Sequence, residues 1–114
     1  VPIDRYGDGS SSRDYTYIDD VVDGVVRALD TPLGYQIYNL GNGRPTRLND
    51  FIRLVEQHSG KTALINVMPE QPGDVPRTCA DISKARELLG YDPQTPFSEG
   101  IAKLVKWYNE SARA

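Results

Sequence analysis

Residues 19–40 read as a helix that runs directly into a strand, and this leaves the chain few ways to fold. Asp19-Asp20 open the helix, and Val21, Val22, Val25, Val26 and Leu29 follow at helical spacing. The two carboxylates suit the positive end of the helix dipole. Thr31-Pro32-Leu33-Gly34 stops the helix, and Tyr35-Gln36-Ile37-Tyr38-Asn39-Leu40 follows as a strand. A helix feeding a strand in this way is the second half of a crossover unit, which needs a parallel sheet to join. The remaining sequence offers that strand few neighbours.

The other segments fill in a mixed α/β pattern, in the order β-β-α-β-α-β-α-α. Ile3 to Tyr6 predicts a short strand, Gly7-Asp8-Gly9-Ser10 a tight turn, and Arg13 to Ile18 a second strand. After the turn at Gly41-Asn42-Gly43, a helix is expected from about Leu48 to His58, with Leu48, Phe51, Ile52 and Val55 on one face and Gly60 as its stop. Thr62 to Met68 is a further strand candidate, and residues 69–80 form a loop rich in proline and glycine. A short helix carrying Ile82, Ala85, Leu88 and Leu89 ends at Gly90, and a last one begins at Pro96 and Ser98. All 114 residues read as one unit, without repeat or internal linker. Val1-Pro2-Ile3 begins without Met or a capped element and reads as a cut through a longer chain.

Charge and composition narrow the partners. A net charge of −3 argues against a general binder of nucleic acid or of anionic membranes, although one placed arginine can still hold one anionic ligand. No apolar run approaches the roughly 20 residues that span a bilayer. The single cysteine, Cys79, excludes an intrachain disulfide and suits a reducing, cytoplasmic setting.

Most polar clusters have ordinary explanations. The turns Gly7-Asp8-Gly9 and Gly41-Asn42-Gly43 both lack the third glycine of a dinucleotide loop, and no acidic residue follows the second at the distance that would hold a ribose. Asp4, Asp8 and Gly9 do not make a calcium loop, because Tyr6 and Tyr15 stand where oxygen ligands are required. His58 and Cys79 are alone and cannot build a zinc site. Asp19, Asp20 and Asp23 are better read as helix-start stabilisation than as an acid–base cluster. His58 falls near a helix C-terminus, where a capping or solvated role is expected.

Two constellations invite a functional reading. Arg13-Asp14-Tyr15-Thr16-Tyr17-Ile18-Asp19-Asp20 sets an arginine beside a flexible Gly/Ser turn, and a guanidinium fork matches phosphate oxygens. Gln71-Pro72-Gly73-Asp74-Val75-Pro76 places one carboxylate, an acceptor for neutral hydroxyls such as those of ribose. Arginine and aspartate also form plain surface salt bridges, and the residues alone leave both readings open.

The same two stretches resemble the C-terminal segment of the extended short-chain dehydrogenase/reductase family, the NAD-dependent epimerases and dehydratases. Tyr38-Asn39-Leu40-Gly41, Ala80-Asp81-Ile82-Ser83-Lys84-Ala85, Leu89-Gly90-Tyr91-Asp92-Pro93, Glu99-Gly100-Ile101 and Trp107-Tyr108 extend the resemblance in the expected order over nearly the whole chain. Within the family, the stretch Pro72–Ala85 is most similar to nucleotide-sugar 4-epimerases, those acting on UDP-glucuronate above all.

The resemblance implies a mixed α/β, substrate-binding C-terminal portion that lacks most of the Rossmann domain. Arg13 would bind the diphosphate of a UDP-sugar, Asp74 the ribose, and Thr78 would line the sugar pocket. Gln71 stands where the UDP-galactose branch has a second phosphate-binding arginine, which favours the glucuronate branch. Residues 19–41 would pack on a missing N-terminal NAD-binding domain, and the parent could form a homo-oligomer. NAD would be the parent's cofactor, none being held by this chain, because the glycine-rich loop and the Tyr-x-x-x-Lys pair are absent from it and no tyrosine has a lysine four places on. The chain would thus hold substrate without catalytic residues of its own. A dehydratase or decarboxylase would share this scaffold, and a non-catalytic nucleotide-binding or interaction module is the reading outside enzymes.

Overall fold

The computed structural model describes residues 2–112, so Val1 of the opening tripeptide lies outside the described residues. The described residues form four strands and four helices: β1 (Ile3–Tyr6), β2 (Ser12–Arg13), α1 (Ile18–Asp30), β3 (Thr46–Arg47), α2 (Leu48–Ser59), β4 (Ile65–Met68), α3 (Ser83–Leu89) and α4 (Phe97–Ala112). β1 pairs with β4 in parallel, Ile3 opposite Ile65 and Tyr6 opposite Met68. β2 pairs with β3 antiparallel, Arg13 opposite Thr46. On its other side β2 meets the segment after Pro76: Ser12 N–H donates to the Pro76 carbonyl at 2.9 Å, and Thr78 N–H donates to the Ser12 carbonyl at 3.0 Å. Strand pairs this short gain little from their own ladders, so the site region depends on side-chain bonds described below.

The helices match their sequence signals closely. α2 and α3 stop at Gly60 and Gly90, both left-handed, with the Gly60 N–H returned to the Glu56 carbonyl at 3.0 Å. Asp19 and Asp20 lie in the first turn of α1. Asp20 also reaches across the fold, accepting the Thr95 N–H at 3.2 Å and so holding the approach to α4.

Two sequence expectations are corrected. Residues 35–40 form no strand and join no ladder, leaving Tyr35 90% and Ile37 67% exposed. The hydrogen-bonding potential of a strand is realised only by a neighbour, and neither two-stranded sheet takes this segment in. The second strand is likewise shorter than Arg13 to Ile18, because β3 supplies partners only for Ser12 and Arg13.

The buried core is correspondingly small. Ile82, Ala85, Leu89 and Tyr91 form its centre, with Ala28, Tyr38, Leu40 and Ala80 packed against it. The apolar stripe of α1 does not face it: Val22, Val25, Val26 and Leu29 are exposed, while Gly24 and Ala28 take the inward side. A separate aromatic contact joins α2 to α4, where the rings of Tyr15, Phe51 and Phe97 lie 4.9 to 5.3 Å apart.

Tyr91 is fully buried, and its hydroxyl donates to the Gly41 carbonyl at 2.6 Å. Burial and then the nearby Asp20, Asp14 and Asp23 carboxylates raise its pKa above the ordinary tyrosine value. The unfolded chain therefore ionises first, near pH ~10, and the stability contributed by Tyr91 is complete below that pH and lost above it. Tyr91→Phe should lower stability by about 1–3 kcal/mol at pH 7 by leaving a buried carbonyl unpaired. Urea unfolding followed from pH 7 to 11 should show the difference between wild type and variant shrinking at the alkaline end.

Candidate functional site

β2 carries Arg13 at the junction of the Gly/Ser turn, β3 and the loop that follows β4. The turn is fixed from inside. Asp8 accepts the Ser10 N–H at 2.9 Å and the Ser10 hydroxyl at 2.5 Å, which holds its carboxyl below the usual carboxylate range. The turn is tied to the start of α2, since the Gly9 carbonyl accepts the Asn49 N–H at 3.0 Å and Asn49 Nδ2 donates to the Asp8 carbonyl at 3.0 Å.

Arg13 and Asp74, far apart in sequence, meet here. Arg13 Nη2 lies 2.6 Å from Asp74 Oδ1, and Arg13 Nη1 donates to the Ser12 carbonyl at 2.8 Å. Both side chains remain partly open to water, 28% for Arg13 and 48% for Asp74. A pair this exposed contributes only about 0–1 kcal/mol to stability. Arg13 does not pair with its neighbour Asp14, whose carboxylate is engaged elsewhere.

The other two candidates lie on the same loop with different contacts. Gln71 is exposed, and its carbonyl accepts the Asp74 N–H at 3.1 Å, closing the turn that presents Asp74. Thr78 is exposed too, and its hydroxyl accepts the Asp14 N–H at 3.2 Å. A cleft of about 240 Å³ opens between the Gly/Ser turn and this loop, with Tyr6, Gly9, Ser10, Glu70 and Asp74 on its walls. A larger cavity of about 580 Å³ lies elsewhere, among Tyr15, Phe51, Phe97, Ile101, Leu104 and Trp107. Its walls are largely apolar, with Lys103, 3.3 Å from Glu99, at its edge.

Asp14 is the residue that the sequence did not single out. One oxygen accepts the Asn42 N–H at 3.0 Å, and the other accepts Gly43 at 3.0 Å and Ala80 at 2.9 Å. These donors lie 28, 29 and 66 residues away, a separation with no local signal. The Asn42 and Gly43 amides of this turn are thereby occupied by a carboxylate of the chain itself, so they are not a free phosphate cradle. Among the described residues, no cluster of His, Cys, Asp and Glu could hold a metal ion, and no helix is long and apolar enough to cross a membrane.

This architecture has close relatives. The model of a family described as GDP-mannose 4,6 dehydratase matches residues 2–104. The chain belongs to this family, among the extended short-chain dehydrogenases/reductases that include the NAD-dependent epimerases, and corresponds to their C-terminal region. It is 42% identical over 111 residues to a UDP-glucuronate 4-epimerase of Thermodesulfobacterium geofontis, covering 96% of this chain and 34% of that protein. It is similar also to the UDP-glucuronic acid 4-epimerase of Bacillus cereus in complex with UDP-glucuronic acid and NAD, at 37% identity and a TM-score of 0.87, covering 96% of this chain and 36% of that one. MoeE5 in complex with UDP-glucose and NAD superposes with a TM-score of 0.91 at 28% identity, covering 97% of this chain and 38% of that one. The chain spans about a third of the length of the curated relatives it matches.

Gly9 tests the geometry of the turn. Its φ is +80°, and a Cβ there would collide with the Asn49 side chain. Gly9→Ala should destabilise the protein by more than about 1 kcal/mol, since both the backbone and the space oppose it. Adding Asn49→Ala should recover only the steric part, as read from the two melting temperatures.

Proposed function

We propose that this chain is the substrate-binding portion of an NAD-dependent nucleotide-sugar 4-epimerase acting on UDP-glucuronate or a related UDP-sugar. The observation that carries the reading is the Arg13–Asp74 contact of 2.6 Å, which joins the phosphate-type and ribose-type constellations beside the cleft that Asp74 lines. Arg13 grips the diphosphate with a charge that does not titrate near neutrality. Asp74, turning from Arg13, accepts the ribose hydroxyls. Thr78 and Gln71 lie on the same loop toward the sugar.

NAD is assigned to the rest of the parent enzyme, where it supplies hydride transfer at the sugar. The residues of this chain do not fit it: Asp14 fills the amides of one glycine turn, and Asn49 packs into the other. The exposed stripe Val22, Val25, Val26 and Leu29, with Ile37 beyond it, suits the expectation that residues 19–41 pack on an NAD-binding domain. Such an enzyme works in the cytoplasm, where exposed Cys79 stays reduced. The family description favours a nucleotide-sugar dehydratase as the second reading. Incubating the longer protein with UDP-glucuronate and NAD separates the two, because an epimerase returns the 4-epimer and a dehydratase releases water.

Two outcomes are expected in the longer protein that carries this segment. Arg13→Ala should weaken UDP-sugar binding about 10- to 100-fold, because charge-assisted bonds contribute about 1.5–3 kcal/mol each. Arg53→Ala should change it little, Arg53 being 72% exposed and paired with Asp50 on α2. Equal affinities by titration calorimetry would leave Arg13 a surface ion pair. Leu29→Ser should destabilise the longer protein by about 1–3 kcal/mol, and the isolated segment hardly at all, if the stripe is covered by another domain.

A further inference from the structure

The geometry points to Asp14 as a positioning residue, one that fixes the loop bearing Asp74 against the strand bearing Arg13 and so sets the UDP-binding geometry; the inference rests on the reading of Arg13 and Asp74 given above. Asp14 follows Arg13 directly, yet its side chain goes to the opposite task. Its carboxylate gathers the N–H groups of Asn42, Gly43 and Ala80, while its own N–H donates to the Thr78 hydroxyl. Three segments converge on it: the end of β2, the turn at 41–43 and the loop after Asp74. The last of these has few other attachments. Residues 71–79 are all exposed, and the loop is held to β2 mainly by the Ser12 and Thr78 backbone bonds and the Arg13–Asp74 pair.

The surroundings leave the carboxylate one seat. A Cβ at Gly41 would stand 2.9 Å from Asp14 Oδ2 and 2.7 Å from the Ala80 Cβ. The Gly41 carbonyl is itself held by the buried Tyr91 hydroxyl at 2.6 Å. The turn that Asp14 grips is thus anchored to the hydrophobic core, and Asp14 passes that anchorage to the binding loop. Replacing a carboxylate by a carboxamide of the same shape removes one acceptor oxygen and sets an NH₂ against a backbone N–H. Asp14→Asn should then loosen the loop with little change in side-chain volume.

The test uses the longer protein, with UDP as the probe, and two readouts. In hydrogen exchange, Asp14→Asn should speed exchange about tenfold or more at Asn42, Gly43 and Ala80, and also along residues 74–78, to which its carboxylate makes no hydrogen bond. In calorimetry, Asp14→Asn should weaken UDP binding about tenfold, while Arg13→Ala/Asp14→Asn should bind no more weakly than Arg13→Ala alone. A loss in the double variant equal to the sum of the single losses would overturn the inference, because Asp14 would then act independently of Arg13. Unchanged exchange at 74–78 would also overturn it. If Arg13→Ala leaves UDP affinity intact, the binding reading fails, and exchange alone decides whether Asp14 holds the loop. Should Asp14→Asn not fold, Gly41→Ala displaces the same carboxylate from outside and should give the same two results.

Discussion

The carboxylate of Asp14 and the N–H groups of Asn42, Gly43 and Ala80 form the junction on which the arrangement of this chain depends. The strand pairs are too short to hold themselves, and the loop beyond β4 has no periodic structure. A carboxylate accepting several backbone N–H groups supplies directional bonds where ladders are missing. Tyr91 then connects that junction to the core through the Gly41 carbonyl. The path from core to loop is therefore polar and specific, while the apolar contacts lie to either side of it.

Two consequences follow for how the chain presents its surfaces. The core around α3 is small, and the aromatic contact between α2 and α4 is separate from it. The stripe on α1, together with Tyr35 and Ile37, carries apolar side chains that neither cluster uses. The pair proposed to hold a UDP-sugar sits on the opposite kind of surface, polar and partly hydrated. That is suitable for an ion pair that must open to admit a ligand, since it contributes little to stability when closed.

The helices were legible in the sequence because their signals are local. Spacing placed α2, and glycines at Gly60 and Gly90 marked the ends of α2 and α3 within a residue. Strands were legible only in part. Ile3 to Tyr6 forms a strand as expected, but 35–40 does not, because a strand requires a partner that its own residues cannot specify. The family and the two constellations were also readable, through motifs spread along nearly the whole chain. Asp14 was not: an aspartate following an arginine in a strand carries no mark of three amides up to 66 residues away.

The sequence by itself determined the α/β class, the helix boundaries, the absence of a local metal or dinucleotide motif, and the residue types that suit a diphosphate and a ribose. These follow from periodicity, turn chemistry and side-chain functional groups, all properties of short windows. Only the tertiary structure decided that Arg13 and Asp74 meet, that Asp14 serves the backbone and not Arg13, and that the α1 stripe points outward. Each of those is a choice among long-range partners, made by the geometry of packing and by which backbone donors remain unpaired once the chain has closed.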